Sequence, residues 1–153
     1  MKGYTLTFII TLLLIFLLIP FSGWGEGDLT KQKPIELTAM LGNKNGALRF
    51  FPHTLNLQTG KLYRLILSNP SSVKHYFSSD GMSRAVYTRK VQVNGKNGKP
   101  IAEIKGSIRE IEVYPQGTAE WWFVPVKAGT FNDLKCTIAG HAEAGMVGKV
   151  IIK

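Results

Sequence analysis

Within its last eighteen residues the chain carries a thiol, an imidazole and a thioether: Cys136, His141 and Met146, with four residues between each and the next. They sit on a loop of mostly small residues, Thr137-Ile138-Ala139-Gly140-His141-Ala142-Glu143-Ala144-Gly145-Met146, between two apolar strand-like runs, 131–136 and 147–152. A loop so bounded lets all three side chains converge on one ion. Soft sulfur combined with imidazole suits copper, and a His₂Cys set with a weak, distant Met is an arrangement for moving single electrons. That set needs a second imidazole. His75, in Ser68-Asn69-Pro70-Ser71-Ser72-Val73-Lys74-His75-Tyr76-Phe77, follows a strand-like run and is placed to supply it. Alone, His75 would read as a buried structural histidine; with Cys136, His141 and Met146 it completes a ligand set. His53, beside Pro52, has no partner at metal-binding spacing and reads as a surface or edge residue, and Met82 reads as packing because Met146 stands at the expected spacing.

These residues resemble the cupredoxin family, the small blue-copper proteins that include plastocyanin, pseudoazurin and azurin. The family pattern is an early His just past a strand and a late Cys-His-Met loop near the C-terminus, and the likeness spans roughly residues 35–153. Cys136-Thr137-x-x-Gly140-His141 is most similar to the azurin loop; the interval before Gly145-Met146-x-Gly148 is more similar to the nitrite-reductase or pseudoazurin branch. The resemblance implies an all-β, two-sheet Greek-key sandwich holding one type 1 copper ion through His75, Cys136, His141 and Met146. It further implies a monomer that exchanges electrons with transient redox-protein partners, a cytochrome or an oxidoreductase. In cupredoxins an Asn near the first His often braces the cysteine-bearing loop. Here Tyr76 follows His75, which leaves Asn69 as either that brace or an ordinary turn residue before Pro70.

The elements that must position this site are short strands and turns, in a chain of 153 residues whose 44% hydrophobic content suffices for one domain. Residues 1–25 read as a secretory leader: Lys2 begins it, Leu6 to Phe21 is an uncharged apolar run, and Gly23 and Gly25 offer small residues for cleavage. Sixteen apolar residues are few for a bilayer span. The expected product is therefore exported, periplasmic or otherwise, with no stable membrane insertion once the leader is removed. It has a linker over 26–34 and a single domain over 35–153. A lone Cys cannot form an internal disulfide, and in an oxidising compartment metal ligation would occupy it. The net charge of +9, less Lys2 with the leader, can steer the protein toward acidic partners or anionic surfaces. The basic residues are scattered and accompany no nucleic-acid motif, which argues against nucleic acid.

Apolar–polar alternation marks strands at 35–40, 108–113 and 118–125. The pattern predicts two hairpins: 54–57 with 61–68 around Gln58-Thr59-Gly60, and 108–113 with 118–125 around Tyr114-Pro115-Gln116-Gly117. Tyr63, Leu65 and Leu67 share a core face, and adjacent Trp121 and Trp122 must point to opposite faces. A short helix in the 80–90 region is expected, capped by Asp80, with Met82, Ala85 and Val86 inward. Arg84, Arg89, Lys90, Lys96, Lys99 and Lys105 make the next stretch basic, as a solvated loop or a docking patch for an acidic partner. No Ser-His-Asp order or carboxylate pair argues for hydrolysis. An oxidase or nitrite reductase would need a further copper, and too few histidines remain to bind one. Two non-enzymatic functions stay open, an electron carrier and a copper carrier or resistance protein using the same ligands.

Overall fold

The computed structural model describes residues 31–95 and 97–153; the expected leader and residues 26–30 of the expected linker lie outside the described residues. In chain order the strands are β1 (Ile35–Leu41), β2 (Phe50–Phe51), β3 (Thr54–Leu57), β4 (Tyr63–Ser68) and β5 (His75–Ser78). Helix α1 (Asp80–Ala85) leads into β6 (Val86–Asn94), β7 (Pro100–Ile104), β8 (Glu110–Val113), β9 (Thr118–Pro125), β10 (Gly129–Lys135) and β11 (Val147–Ile152). One sheet has the order β2-β1-β4-β9-β6-β7 and the other β3-β11-β10-β5-β8. Pairing is antiparallel except for β1 with β4 and β3 with β11. The two-sheet sandwich and the short helix agree with expectation.

The core lies between the sheets because each inner strand buries every second side chain. Tyr63, Leu65 and Leu67 on β4, Ala119, Trp121 and Phe123 on β9, and Val150 and Ile152 on β11 are all buried. An aromatic column links the layers. Phe77 of β5 meets Trp121 of β9 edge-on at 6.4 Å between ring centroids, Phe50 of β2 meets Phe77 at 5.8 Å, and Trp121 meets Phe123 at 5.1 Å. Such rings bury about 150–250 Å² each, worth roughly 4–6 kcal/mol apiece before conformational entropy is counted.

Both expected hairpins prove to be crossings between sheets. β3 pairs with β11 while β4 lies between β1 and β9. The intervening turn gives its N–H groups elsewhere, Thr59 to the Lys153 carbonyl at 2.7 Å and Gly60 to that of Pro125 at 2.9 Å. Likewise β8 pairs with β5 and β9 with β4 and β6, and the corner between them is bonded to Asn69, through Asn69 N–H to Gly117 O and Gln116 N–H to Asn69 O. In a sandwich both sheets present apolar inner faces, so a crossing strand alternates as a returning one does. The helix cap also differs. Ser79, not Asp80, is the N-cap, its hydroxyl accepting from Met82 N–H at 3.1 Å, and Val86 already belongs to β6.

Trp122 lies on the outer face of the first sheet, with the Arg64 guanidinium 5.6 Å and Lys90 Nζ 5.2 Å from its ring centroid. Arg64 grips Glu120 with two bonds of 2.9 and 2.6 Å and reaches Glu36 at 2.6 Å. Asn94 and the Trp122 indole N–H also donate to Glu120, which is 3% exposed. These donors, Arg64 first, hold the Glu120 carboxyl below its ordinary 4.5, while Glu120 pushes the guanidinium further up. A depressed carboxylate adds stability that is complete above its unfolded value and is lost as pH falls through the lower folded one. Urea midpoints should therefore drop below about pH 4.5 more steeply in the wild type than in Glu120→Gln, which starts lower; parallel curves would refute the assignment.

Candidate metal centre

Cys136 is delivered by β10. That strand lies against β11 in the register Lys135↔Val147 and Leu134↔Gly148, so Leu134 and Cys136 are both buried toward the core. Gly148 is obligatory, since a Cβ there would lie 2.8 Å from Leu134 Cδ2 and 2.9 Å from the His53 carbonyl oxygen. The ladder is irregular between Phe131 and Leu134, and Asp133 uses that irregularity. Its carboxylate accepts from the Ser79 hydroxyl at 2.7 Å and the Gly81 N–H at 2.6 Å, tying α1 to β10. Desolvation opposes that charge, and these donors outweigh it, holding the carboxyl below its ordinary value.

The ligand loop closes on itself. Cys136 N–H donates to Met146 O at 3.0 Å across its neck, and Met146 N–H donates to His141 O at 2.9 Å. Tight turns carry the chain between them, through His141 N–H to Ile138 O and Ala144 N–H to Gly140 O, each 3.0 Å. Gly140 and Gly145 take φ of +84° and +101°, which a residue with a Cβ adopts only under strain. The result buries Cys136 and Met146 and leaves the His141 side half-buried.

His75 opens β5, opposite Val113 of β8, and is 1% exposed. The approach loop is held by Asn69, which is fully buried. Its amide donates to Val73 O at 2.7 Å and Val113 O at 2.8 Å, and its oxygen accepts from the Ser71 N–H and hydroxyl. Asn69 thus braces the His75 loop against β8 and the β8–β9 corner; none of its bonds reaches the Cys136 loop. The link to the thiol comes from backbone, the Tyr76 N–H lying 3.4 Å from Cys136 Sγ.

His75, Cys136 and His141 come together as expected, their ligand atoms all within 4.8 Å of one another. Cys136 Sγ is 3.9 Å from His75 Nδ1 and 3.4 Å from His141 Nδ1. Donors around one trigonal ion with bonds of about 2.0–2.3 Å stand roughly 3.5–4 Å apart, so this set fits a single copper ion in both spacing and softness. Burial, and then repulsion from His141, push the His75 imidazole below its ordinary value. Both effects favour its neutral form, the one that ligates. Met146 is buried, with its backbone bonded to those of Cys136 and His141, while His53 is exposed and Met82 is buried in the core, as expected. Sequence reasoning missed Gly42. At φ +73° it packs against the His75 ring, where a Cβ would stand 2.9 Å from Nε2. The turn cluster Gly42-Asn43-Lys44-Asn45-Gly46 signalled a bend and nothing about its neighbour.

A two-sheet sandwich that brings His75, Cys136 and His141 together defines a cupredoxin, a copper-binding domain. The chain belongs to the multicopper oxidase family, whose pattern it matches over residues 28–153. It is 30% identical over 106 residues, 69% of this chain and 61% of the relative, to the copper-resistant cuproprotein CopI of Rubrivivax gelatinosus, and so spans about three fifths of that protein. Among solved structures it is similar to auracyanin A, a blue copper protein of Chloroflexus aurantiacus, at 18% identity and a TM-score of 0.50 over 79% of this chain and all of that one. It is also similar to the multicopper oxidase McoA of Aquifex aeolicus, at 15% identity and a TM-score of 0.56 over 78% of this chain and 29% of that one. These structural likenesses define the fold.

Gly42→Ala should cost about 1–2 kcal/mol in urea unfolding through its left-handed backbone and should also weaken copper binding by displacing the His75 ring. Gly46→Ala is the control: at φ +78° with nothing within 4 Å of its Cβ, it carries the backbone cost alone. Equal copper affinities of the two variants would exclude a role for Gly42 at the ring.

Proposed function

We propose that this chain is an exported carrier of single electrons, with one type 1 copper ion that His75, Cys136 and His141 would hold and Met146 would ligate more weakly. One observation carries the reading: three donors from segments sixty residues apart stand within 4.8 Å of one another on a closed loop and a strand end, at the spacing one ion needs. The ion supplies a one-electron redox change. The chain's part is to keep its ligands still during that change. Cys136 is fixed by its neck bond and by the Tyr76 N–H, His75 by the Asn69 knot, and His141 by its own turn. His141 is the ligand nearest solvent, so its ring edge is the route for electrons to a transiently docked redox partner.

The reading is non-enzymatic. Only His53 remains outside the site, exposed at the corner between β2 and β3, and a further catalytic copper would need more. Export rests on the leader-like character of residues 1–25, and no helix among the described residues is long and apolar enough to cross a membrane. The similarity to CopI favours a second reading, copper resistance through the same ligands. Rapid electron exchange with a cytochrome at a reversible potential supports the carrier, whereas transfer of the metal to an acceptor protein supports the second.

Copper-loaded, oxidised protein should be intensely coloured by thiolate-to-copper charge transfer, and Cys136→Ala should abolish the band; a colourless wild-type complex would refute the type 1 site. Met146→Leu should retain copper while shifting the reduction potential measured by voltammetry. An unchanged potential would remove Met146 from the ligand set.

A further inference from the structure

β5 and β10 bring His75 and Cys136 together, yet the ladder between them has one register pair, Lys135↔Ser78. Backbone pairing therefore stops short of the ligands, and the Tyr76 N–H to Cys136 Sγ contact at 3.4 Å is a weak continuation of it. A second tie spans the same gap on the outer face. Ser78 also pairs with Glu110 of β8, so Lys135, Ser78 and Glu110 form one row across three strands, facing away from the core that Phe77 and Leu134 enter. Thr137 lies two residues beyond Lys135. Its hydroxyl donates to Glu110 Oε2 at 2.6 Å, reaching over β5. A hydroxyl–carboxylate bond of this length belongs to the stronger, charge-assisted kind. Glu112, the neighbouring carboxylate on β8, is engaged by Lys74 at 2.8 Å.

We propose that Glu110 is a positioning residue for the copper site: by gripping Thr137 across β5 it holds the residue that follows the thiolate and sets the separation of Cys136 Sγ from His75 Nδ1. The proposal rests on the copper reading of the site, and its test uses one readout with copper and one without. Copper loss to a chelator should quicken about tenfold in Glu110→Ala and in Thr137→Val, the lower end of what outer residues of metal sites contribute. In copper-free protein, alkylation of the buried Cys136 thiol by iodoacetamide should quicken in the same two variants. The double variant should be no faster than either single one, since both remove the same bond. Glu110→Gln keeps an acceptor oxygen but loses the charge assistance, and should fall between the wild type and Glu110→Ala.

Wild-type rates in Glu110→Ala, additive effects in the double variant, or Glu110→Gln behaving like Glu110→Ala would each overturn the proposal. So would alkylation rates that merely track a fall in urea midpoint, because that assigns Glu110 to general stability. If the wild type gives no charge-transfer band, the copper reading fails while the alkylation series still decides whether the grip exists.

Discussion

The meeting of β5 with β10 is the constraint on which the metal end depends. Tyr76 and Cys136 are sixty positions apart. Closing a loop of that length costs a few kcal/mol of chain entropy, of order (3/2)RT ln n plus a constant, and one ladder pair does not offset it. The aromatic column does. Phe77, two residues after His75, packs on Trp121 of the opposite sheet and on Phe50 of β2, so the strand that carries the imidazole is anchored by the core itself. β10 is anchored separately, by β11 on one side and through Asp133 to α1 on the other. The site is thus where two independently secured strands come together, with few bonds of its own and little freedom to rearrange.

What could be read from sequence follows the range of the interactions. Cys136, His141 and Met146 share one closed loop, so residue type and spacing sufficed, and Gly140 and Gly145 announced the turns that shape it. His75 was recognisable because a soft ligand set lacked a second imidazole. The destination of a strand was not legible: 54–57 and 108–113 alternate as hairpin arms would, and only the turn N–H groups, bonded to Lys153, Pro125 and Asn69, separate a crossing from a return. Asn69 was legible as a brace but not in its direction. The side chain faces Val113 of β8, a partner forty-four positions away that no local pattern discloses. Ser79 and Asp80 are both acceptable helix caps, and the choice fell to Ser79 because its hydroxyl also reaches Asp133 of β10.

Charge does different work on the two outer faces. On the first sheet Arg64, Glu120, Glu36, Asn94 and Trp122 satisfy one another, and Lys90 is shared between the Trp122 ring and Glu103. Part of the basic stretch from the end of α1 onward is therefore engaged within the protein, with Arg84 on Asp80 and Lys105 on Glu103 as further pairs. On the second sheet the charged groups cluster behind the ligands, with Lys74 on Glu112 and Thr137 on Glu110. The first network is a lid on a strand pair; the second ties β8 to Lys74, just before the imidazole, and to Thr137, just after the thiolate.

Rigidity bears unequally on the two functions left by the family. Single-electron transfer gains from ligands that need not move, and here Cys136 and His75 are buried, with their backbones held in the loop neck and the Asn69 knot. Metal delivery requires the opposite, ligands that exchange in sequence as an acceptor takes over. His141 alone stands toward solvent, so exchange would begin there, and its next step would have to break the bonds from Cys136 to Met146 and from Met146 to His141 that close the loop. Of the two proposed readings, ligands held this still favour electron carriage over transfer of the metal to an acceptor.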